Sequence, residues 1–186
     1  MFVRRCTALL AAGFFLSTSM PLAADELAEI TNYREYSEVL SSSGQPTEAQ
    51  LQLLKDAGFE RVVFLAYSDS QGSIANADSL IEKLDMEFVH VPVNWEAPQK
   101  SDFYLFSGAI NRGSNKRTLV HCQVNFRASA FSFLYRVLYK NVDMGDAKSD
   151  LDSVWVPNAT WRKLIFAILE ENGRSPNCDT CLWTSD

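Results

Sequence analysis

The sequence contains few of the residues that metal sites and nucleic-acid surfaces need. Of its 186 residues only two are histidines and four are cysteines, and 23 acidic residues outnumber 17 basic ones. A zinc site at the C-terminal segment Cys178-Asp179-Thr180-Cys181 would need two more ligands, with only His90 and His121 to supply histidine. A net charge of −6 argues against nucleic acid or an anionic membrane as a partner. Internal repeats, low-complexity tracts and signs of a second domain are also missing.

The first 24 residues have the pattern of a secretory signal peptide, which is removed on export. Arg4-Arg5 forms a short basic start, an apolar stretch runs from Cys6 to Met20, and small residues follow at Ala23-Ala24. A retained membrane anchor is the alternative, but the apolar stretch is shorter than the ~20 residues that a span needs. We therefore expect a periplasmic or secreted protein without membrane contact after cleavage.

Removal of 24 of the 186 residues leaves 162, with 15 basic and 23 acidic residues and a net charge of −8. That length suits one domain with a sizeable core. We divide it into a lead-in at 25–40, an α/β domain at 41–172 and a polar C-terminal tail at 173–186. In an oxidising compartment Cys178 and Cys181 of the tail are expected to form a disulfide, which leaves Cys122 unpaired. A catalytic role is one reason for an odd thiol in an exported protein.

Hydrophobic patterns predict strands that alternate with helices. Helices are predicted over 47–58, 75–84, 101–112, 127–140, 146–151 and 159–171, and strands over 36–40, 61–67, 86–93 and 117–121. Residues 41–46 are predicted to form a turn. This order is typical of an α/β fold, a mostly parallel central sheet with helices on both faces. In such sheets ligands bind beyond the carboxyl ends of the strands.

The segment from His121 to Arg127 is the most informative part of the sequence. It follows the apolar run Thr118-Leu119-Val120, which predicts a buried strand, and precedes a predicted helix. Such a segment forms an anion site, because N–H groups of the loop and of the helix N-terminus converge on one point. The same field favours the thiolate of Cys122, which makes it a nucleophile. A buried structural thiol is the alternative.

Several side chains of this segment are candidate ligands of a tetrahedral anion. Arg127 offers a planar fork for two oxygens, and Asn125 tolerates the left-handed backbone expected in mid-loop. Ser129 either donates a hydrogen bond to the thiolate or only faces the helix. His121 is expected to orient the loop through hydrogen bonds and not to act as a base. The predicted phosphate-binding set is Gln123, Val124, Asn125, Phe126, Arg127 and Ser129.

These features resemble the protein-tyrosine and dual-specificity phosphatase superfamily. Val120-His121-Cys122 is similar to the end of that family's nucleophile strand. Ser43-Gly44-Gln45-Pro46-Thr47, with its following helix, looks like the start of small bacterial phosphatase-like domains, some of which are annexed to β-lactamase-like hydrolases. The resemblance covers about residues 41–171 and implies a phosphatase-like fold.

The resemblance also implies a mechanism. In that family the cysteine thiolate attacks phosphorus, a cysteinyl-phosphate forms, and a loop acid protonates the leaving oxygen and later activates water. If this mechanism applies to the present sequence, Cys122 is the nucleophile and Arg127 is the residue that binds the phosphate. The substrate would be a phosphorylated small molecule or protein, and neither a metal nor a cofactor is implied.

The spacing between cysteine and arginine departs from the phosphatase pattern. Four residues separate Cys122 from Arg127, where the family has five. If Ser129 is instead aligned with the family's hydroxyl position, Ala128 stands where the family has its arginine. Rhodanese-like sulfurtransferases, which carry a persulfide on the cysteine, have four residues between the cysteine and the arginine of their loop. Two alternatives therefore remain beside the phosphatase: a sulfurtransferase and an inactive anion-binding domain.

A general acid is expected on a neighbouring loop. The segment from Val93 to Pro98 follows a predicted strand at the same sheet edge as Cys122, and it contains Glu96. Glu96 is the preferred acid, desolvated by Trp95 if the loop folds over the site. Asp102 is more typical of a helix N-terminus, and Asp69 is a weaker third choice.

Overall fold

The described residues form one five-stranded sheet at the centre of the molecule. The order of the strands in that sheet positions the site. The computed structural model describes residues 25–184, so the predicted signal peptide lies outside the described residues. The strands are β1 (Arg34–Ser37), β2 (Leu40–Ser43), β3 (Arg61–Phe64), β4 (Glu87–His90) and β5 (Thr118–His121). Their order is β1-β2-β5-β3-β4; β1 pairs antiparallel with β2 and all other pairs are parallel. The predicted mostly parallel sheet is confirmed.

Helices cover both faces of the sheet, as predicted. They are α1 (Glu48–Asp56), α2 (Ala77–Lys83), α3 (Lys100–Asn111), α4 (Phe126–Tyr139), α5 (Met144–Asp152) and α6 (Ala159–Glu171). The sequence explains where α1 starts and stops. Thr47 and Gln50 form a reciprocal capping box, and Gly58 takes up a left-handed backbone (φ 84°) just after its end. Within residues 25–184 no helix is both long and apolar enough to cross a bilayer.

The alternation of side chains along the strands divides the core into two layers. Val63 and Val120 point to the layer that holds α4 and α6, whereas Val62 and Leu119 point to the layer that holds α1. Large aromatic side chains fill the first layer and are almost fully buried, which contributes roughly 1.5–3 kcal/mol for each of them. They are Phe103, Phe106, Phe131 and Trp161.

The prediction of a turn at residues 41–43 is wrong, because these three serines belong to the central strand β2. All four residues of β2 are buried, and they pair in parallel with β5. The serine hydroxyls are satisfied locally: Ser41 accepts from the Tyr33 hydroxyl at 3.1 Å and Ser42 lies 2.8 Å from the Tyr36 hydroxyl. A run of serines resembles a loop in sequence, and only its neighbours in the fold make it a strand.

The predicted lead-in at residues 25–40 packs on the same sheet. Leu27 and Ile30 are buried in the α1 layer of the core, and β1 lies within this range. The lead-in therefore supplies contacts to the domain, and one of its residues supports the functional loop described below.

The C-terminal tail is fastened to α5 and α6. The predicted disulfide between Cys178 and Cys181 is confirmed. Trp183 is buried against Phe133 and Phe166. The buried Lys148 donates to the Leu182 carbonyl at 2.6 Å.

Candidate active site

Cys122 lies at the carboxyl end of β5, where the chain leaves the sheet for α4. Its N–H donates to the Ser43 carbonyl at 3.3 Å, which continues the β2–β5 pairing for one residue. The thiol is free, and the residue exposes 0% of its surface. It contacts the apolar cluster of the α4 layer. Strand and helix thus fix the cysteine at the position that the sequence predicts.

The carbonyl groups of the loop after Cys122 are held outward by other parts of the chain. The Gln123 carbonyl accepts from the N–H of Gln45 at 3.0 Å. The Val124 carbonyl accepts from Asn32 Nδ2 at 3.0 Å. Both acceptors are therefore satisfied by residues outside the loop, which leaves fewer free carbonyl oxygens to repel a bound anion.

The N–H groups of the same loop remain free. Asn125 has a left-handed backbone (φ 73°), as predicted, and caps the start of α4. Its side chain donates to the Asn32 carbonyl at 2.6 Å, which locks the turn. Five N–H groups donate to no acceptor within residues 25–184; they belong to Gln123, Val124, Phe126, Arg127 and Ala128. Together with the dipole of α4 they favour a bound anion.

Arg127 lies in the first turn of α4 and is 6% exposed. Its Nε donates to the Val93 carbonyl at 3.1 Å, and its guanidinium carbon lies 5.5 Å from the Trp95 ring centroid. The two Nη groups make no hydrogen bond to any other described residue. One edge of the guanidinium is thus anchored, and the other can bind two oxygens of a tetrahedral anion.

Four aromatic side chains, here called the aromatic cap, pack beside the loop: Trp95, Phe126, Trp155 and Trp161. Trp155 stacks on Phe126 at 4.7 Å, and the Trp161 indole donates to the Trp95 carbonyl at 3.0 Å. The cap joins the loop after β4 to the start of α4, and Trp155 reaches the rim of the site.

The aromatic cap also decides the environment of Ser129. The Trp155 indole N–H donates to Ser129 Oγ at 3.2 Å. That hydroxyl donates to the Phe126 carbonyl at 3.2 Å, and it makes no hydrogen bond to the Cys122 sulfur. In this structure the Ser129 hydroxyl thus bonds groups at the helix start.

His121 is buried and stacks on Phe64, and its Nδ1 makes none of the hydrogen bonds by which it was expected to orient the loop. Its ring lies 4.7 Å from that of Phe64 with 15° between the planes, and Nδ1 approaches the Cys122 main chain without a hydrogen bond of good geometry. Burial lowers the pKa of His121 from 6.5 to about 3. The imidazole is therefore neutral near pH 7 and a weak base, in line with the expectation that it is not the catalytic base.

The candidate acids differ in their surroundings. Glu96 is exposed, so the expected desolvation by Trp95 is absent in this conformation. Its loop is braced by Asn94, whose Oδ1 accepts from the N–H of Glu96 at 2.9 Å. Asp102 accepts from the N–H of Gln99 at 2.9 Å and caps α3, as predicted. Asp69 is exposed on the loop after β3, which reaches the functional loop through Gln123.

The site has the donors of an anion site and not those of a cation site. The loop and helix start that follow Cys122 supply main-chain N–H groups without an acceptor and the guanidinium of Arg127, and such groups bind oxyanions. In the part of the chain that the structure describes, no group of three or more His, Cys, Asp or Glu side chains is placed to hold a metal ion.

Sequence comparison assigns this arrangement to a family. The model of the family described as "DSP-PTPase phosphatase fused to NAD+ Kinase" matches residues 24–155. The chain belongs to this DSP-PTPase family. The matched region contains all five strands of the DSP-PTPase domain together with Cys122, Arg127 and Glu96. A search of curated proteins finds no match.

Solved structures agree with the DSP-PTPase assignment. A candidate phosphatase (DUF442) from Shewanella putrefaciens CN-32 is 30% identical with a TM-score of 0.72, over 80% of this chain and 97% of that chain. PTPMT1 in complex with PI(5)P is 12% identical with a TM-score of 0.64, over 76% and 96%. The core catalytic domain of the PP-IP phosphatase SIW14 from S. cerevisiae is 12% identical with a TM-score of 0.58, over 77% and 94%. The last two show a shared fold.

Two supports of the DSP-PTPase loop are missing from the sequence prediction. Asn32 was assigned to the lead-in, and Gln45 was named as part of a turn and of the family-like segment but given no role in the site, yet both hold carbonyls of the functional loop. The sequence offers one indirect signal, the Gly44-Gln45-Pro46 segment, because a glycine there permits close approach of two chain segments.

Proposed function

We propose that the protein is an exported phosphatase that hydrolyses phosphomonoesters through a cysteinyl-phosphate on Cys122. One observation carries the proposal: in a chain of the DSP-PTPase family, the loop that follows Cys122 has five N–H groups without an acceptor and an Arg127 guanidinium with one free edge. The place of Arg127 in the first turn of α4, which begins at Phe126, supports its role as phosphate clamp despite the four-residue spacing.

The proposed reaction has two steps. The Cys122 thiolate attacks phosphorus, the phosphorus–oxygen bond to the leaving group breaks, and Glu96 protonates that oxygen. Water then attacks the cysteinyl-phosphate and gives a proton to the Glu96 carboxylate; the phosphorus–sulfur bond breaks, and inorganic phosphate and the free thiolate are released. In both steps the N–H groups and Arg127 stabilise the charge on the equatorial oxygens, which is the largest contribution to catalysis in sites of this type.

Burial of the thiol sets a condition on this reaction. Cys122 is fully enclosed, so a substrate phosphate must displace neighbouring side chains to reach sulfur. The aromatic cap and the loop that carries Glu96 lie next to Arg127. We expect this loop to move on substrate binding, which would also bring Glu96 from solvent towards the leaving oxygen.

The nucleophile is tested with p-nitrophenyl phosphate. Wild-type protein is expected to turn over this ester, and Cys122→Ser is expected to reduce kcat by at least about a thousandfold without loss of the folded state. Thermal unfolding of both proteins provides the control. Equal rates for wild type and variant would refute the proposal.

The four-residue spacing favours a second candidate, sulfur transfer. A sulfurtransferase forms thiocyanate from thiosulfate and cyanide, and Cys122→Ser abolishes that activity. Thiocyanate formation without phosphatase turnover would replace the proposed reaction. If neither activity is present but inorganic phosphate binds, the protein is an anion-binding domain.

The general acid is tested by its effect on the pH profile. Glu96→Gln is expected to lower kcat and to remove the loss of activity on the high-pH side, because a group that must be protonated is no longer there to ionise. Asp69→Asn is the matched variant on the other exposed loop. An unchanged profile for Glu96→Gln and a flattened one for Asp69→Asn would move the acid to Asp69.

The substrate is a phosphorylated small molecule or a phosphorylated protein. Binding of PI(5)P by PTPMT1, a protein of the same fold, supports the small-molecule class. Export is supported by the signal-like residues 1–24 and by the disulfide, since disulfides persist in oxidising compartments. N-terminal sequencing of the protein from a periplasmic fraction should give Asp25 as the first residue; an intact Met1 would contradict cleavage.

A further inference from the structure

The charged residues around the functional loop are mostly acidic. Four segments run from the carboxyl ends of the parallel strands to the third residue of the next helix, and they are here called the site side: residues 44–50, 65–79, 91–102 and 122–128. They contain five acidic residues and two basic ones. The acids are Glu48, Asp69, Asp78, Glu96 and Asp102, and the bases are Lys100 and Arg127.

Arg127 is the one basic residue of the site side that is open to a ligand. The other, Lys100, pairs with Glu171 at 2.7 Å. Arg34 of β1 lies near the same end of the sheet, but all three of its nitrogen atoms donate to main-chain carbonyls or to a serine hydroxyl. A ligand with a second negative group therefore finds no free cation on the site side.

Basic side chains lie instead at the amino ends of the parallel strands. The loop at 112–117, which enters β5, contains three basic residues and no acidic one. The last turns of α1 and α2, which end on this side, contain Lys55 and Lys83. The shortage of cations is thus a property of the site side and does not follow from the acidic composition of the whole chain.

The helix dipole explains only part of this distribution. Glu48, Asp78 and Asp102 lie in first turns of helices, where an acidic side chain is favourable. Asp69 and Glu96 lie in loops and have no such reason. Whatever places the five carboxylates, their charges repel a negative group of a bound ligand.

A cavity of about 240 Å³ gives a substrate room beside the functional loop. It borders that loop through Gln45 and through His121, the residue before the cysteine. An engineered protein cavity of about 150 Å³ is large enough to bind benzene. No lysine or arginine lines the cavity. Its polar lining consists of the side chains of Gln45, Ser68, Asn76, Asp78, His90 and His121.

We propose that the site selects phosphomonoesters whose body carries no second negative group, and that this body is an uncharged or cationic group of about the size of one ring. The selectivity rests on the proposed function, because it takes the phosphate to lie at Arg127 and the free N–H groups. Those donors compensate the charge of the phosphate alone. A carboxylate or a second phosphate on the body would lie among the carboxylates of the site side, so polyanionic substrates are disfavoured.

Two esters of the same shape and different charge test the selectivity. They are 4-(carbamoylmethyl)phenyl phosphate, with a neutral amide, and 4-(carboxymethyl)phenyl phosphate, with a carboxylate; the methylene group keeps the reactivity of the two phosphates nearly equal. Dissociation constants are measured by titration calorimetry with Cys122→Ser, which binds without hydrolysis, and kcat/KM is measured with the wild type.

The expected preference follows from Coulomb's law. Two unit charges about 10 Å apart in water change a binding constant about twofold before screening, and several carboxylates act together. In about 50 mM NaCl the amide is expected to bind at least about threefold more tightly than the acid. In about 0.5 M NaCl the difference should fall below about 1.5-fold, because salt screens exposed charges.

Asp78→Lys and Asp56→Lys make the same charge change at two places. Asp78 lines the cavity, whereas Asp56 ends α1 at the amino ends of the strands. Asp78→Lys is expected to reduce the preference for the amide about threefold, because it replaces a repulsion of the carboxylate by an attraction. Asp56→Lys should leave the preference unchanged. Both residues are exposed, and thermal unfolding checks that both variants are folded.

The results separate this inference from the proposed function. Equal affinity for the two esters in about 50 mM NaCl would overturn the inference, as would an undiminished preference in about 0.5 M NaCl or the same response to both lysine variants. Equal kcat/KM for both esters would leave the phosphatase in place and remove the selectivity. Salt-sensitive, tighter binding of the amide without any turnover would support the selectivity and refute the phosphatase.

Discussion

Gly44→Ala tests whether the supports of the functional loop are needed for its shape. A Cβ atom on Gly44 would lie 2.8 Å from Thr31 Cβ and 2.9 Å from the Gln123 carbonyl oxygen. Real Cβ atoms do not approach other heavy atoms so closely, and one of the two contacts is with main chain. The loop after Cys122 must therefore shift, and with it the Gln45 N–H bond to the Gln123 carbonyl.

The expected cost follows from this overlap. Extra atoms in a well-packed region cost about 1–3 kcal/mol, and the displaced loop no longer directs its N–H groups to one point. We expect the free energy of unfolding to fall by about 2 kcal/mol and kcat/KM on p-nitrophenyl phosphate to fall by about a hundredfold. Denaturant unfolding and steady-state kinetics measure the two effects.

The chain offers a matched control at Gly108. This glycine lies within α3, and a Cβ atom there meets no other atom within 4 Å. Gly108→Ala is expected to raise the free energy of unfolding by up to about 1 kcal/mol, because alanine is the better helix former. Activity should be unchanged. If Gly44→Ala behaves like Gly108→Ala, the supports of the loop do not determine its function.

Three further predictions concern the residues around the loop. Arg127→Lys should lower kcat/KM by about 10²–10³-fold, because lysine cannot bind two oxygens as a fork; a change below threefold would exclude the clamp. Trp155→Phe keeps the ring on Phe126 but loses the bond to Ser129, so the free energy of unfolding should fall by about 1 kcal/mol; no change in denaturant unfolding would contradict this bond. Burial lowers the pKa of His121 to about 3, so its proton uptake on unfolding should lower stability by roughly 1.4 kcal/mol per unit from about pH 6 to about pH 4. His121→Asn should remove that slope in unfolding measured against pH, and an equal slope in both proteins would refute it.

The sequence predicts those parts of the molecule that depend on local pattern. The capping box at Thr47, the bounds of α6 and the strand that ends at Cys122 follow from residue types at short spacing. The left-handed backbone of Asn125 follows from its place in a tight loop before a helix. The disulfide follows from the parity of the cysteines and the expected compartment.

Contacts between distant parts of the chain could not be predicted in this way. Asn32 and Val124 are 92 residues apart, and Arg127 and Val93 are 34 apart; no local pattern marks either pair. The strand β2 was missed because serine has no preference that distinguishes a buried strand from a turn. The exposure of Glu96 depends on how the Trp95 side chain packs in the aromatic cap.

Trapping of the intermediate tests the central claim most directly. Enzyme mixed with p-nitrophenyl phosphate and quenched in acid should gain the mass of one phosphoryl group, located on the peptide that contains Cys122. Glu96→Gln should accumulate more of this adduct than wild type if Glu96 also activates water. Release of phosphate without any adduct on Cys122, or an adduct that persists in Cys122→Ser, would contradict the account.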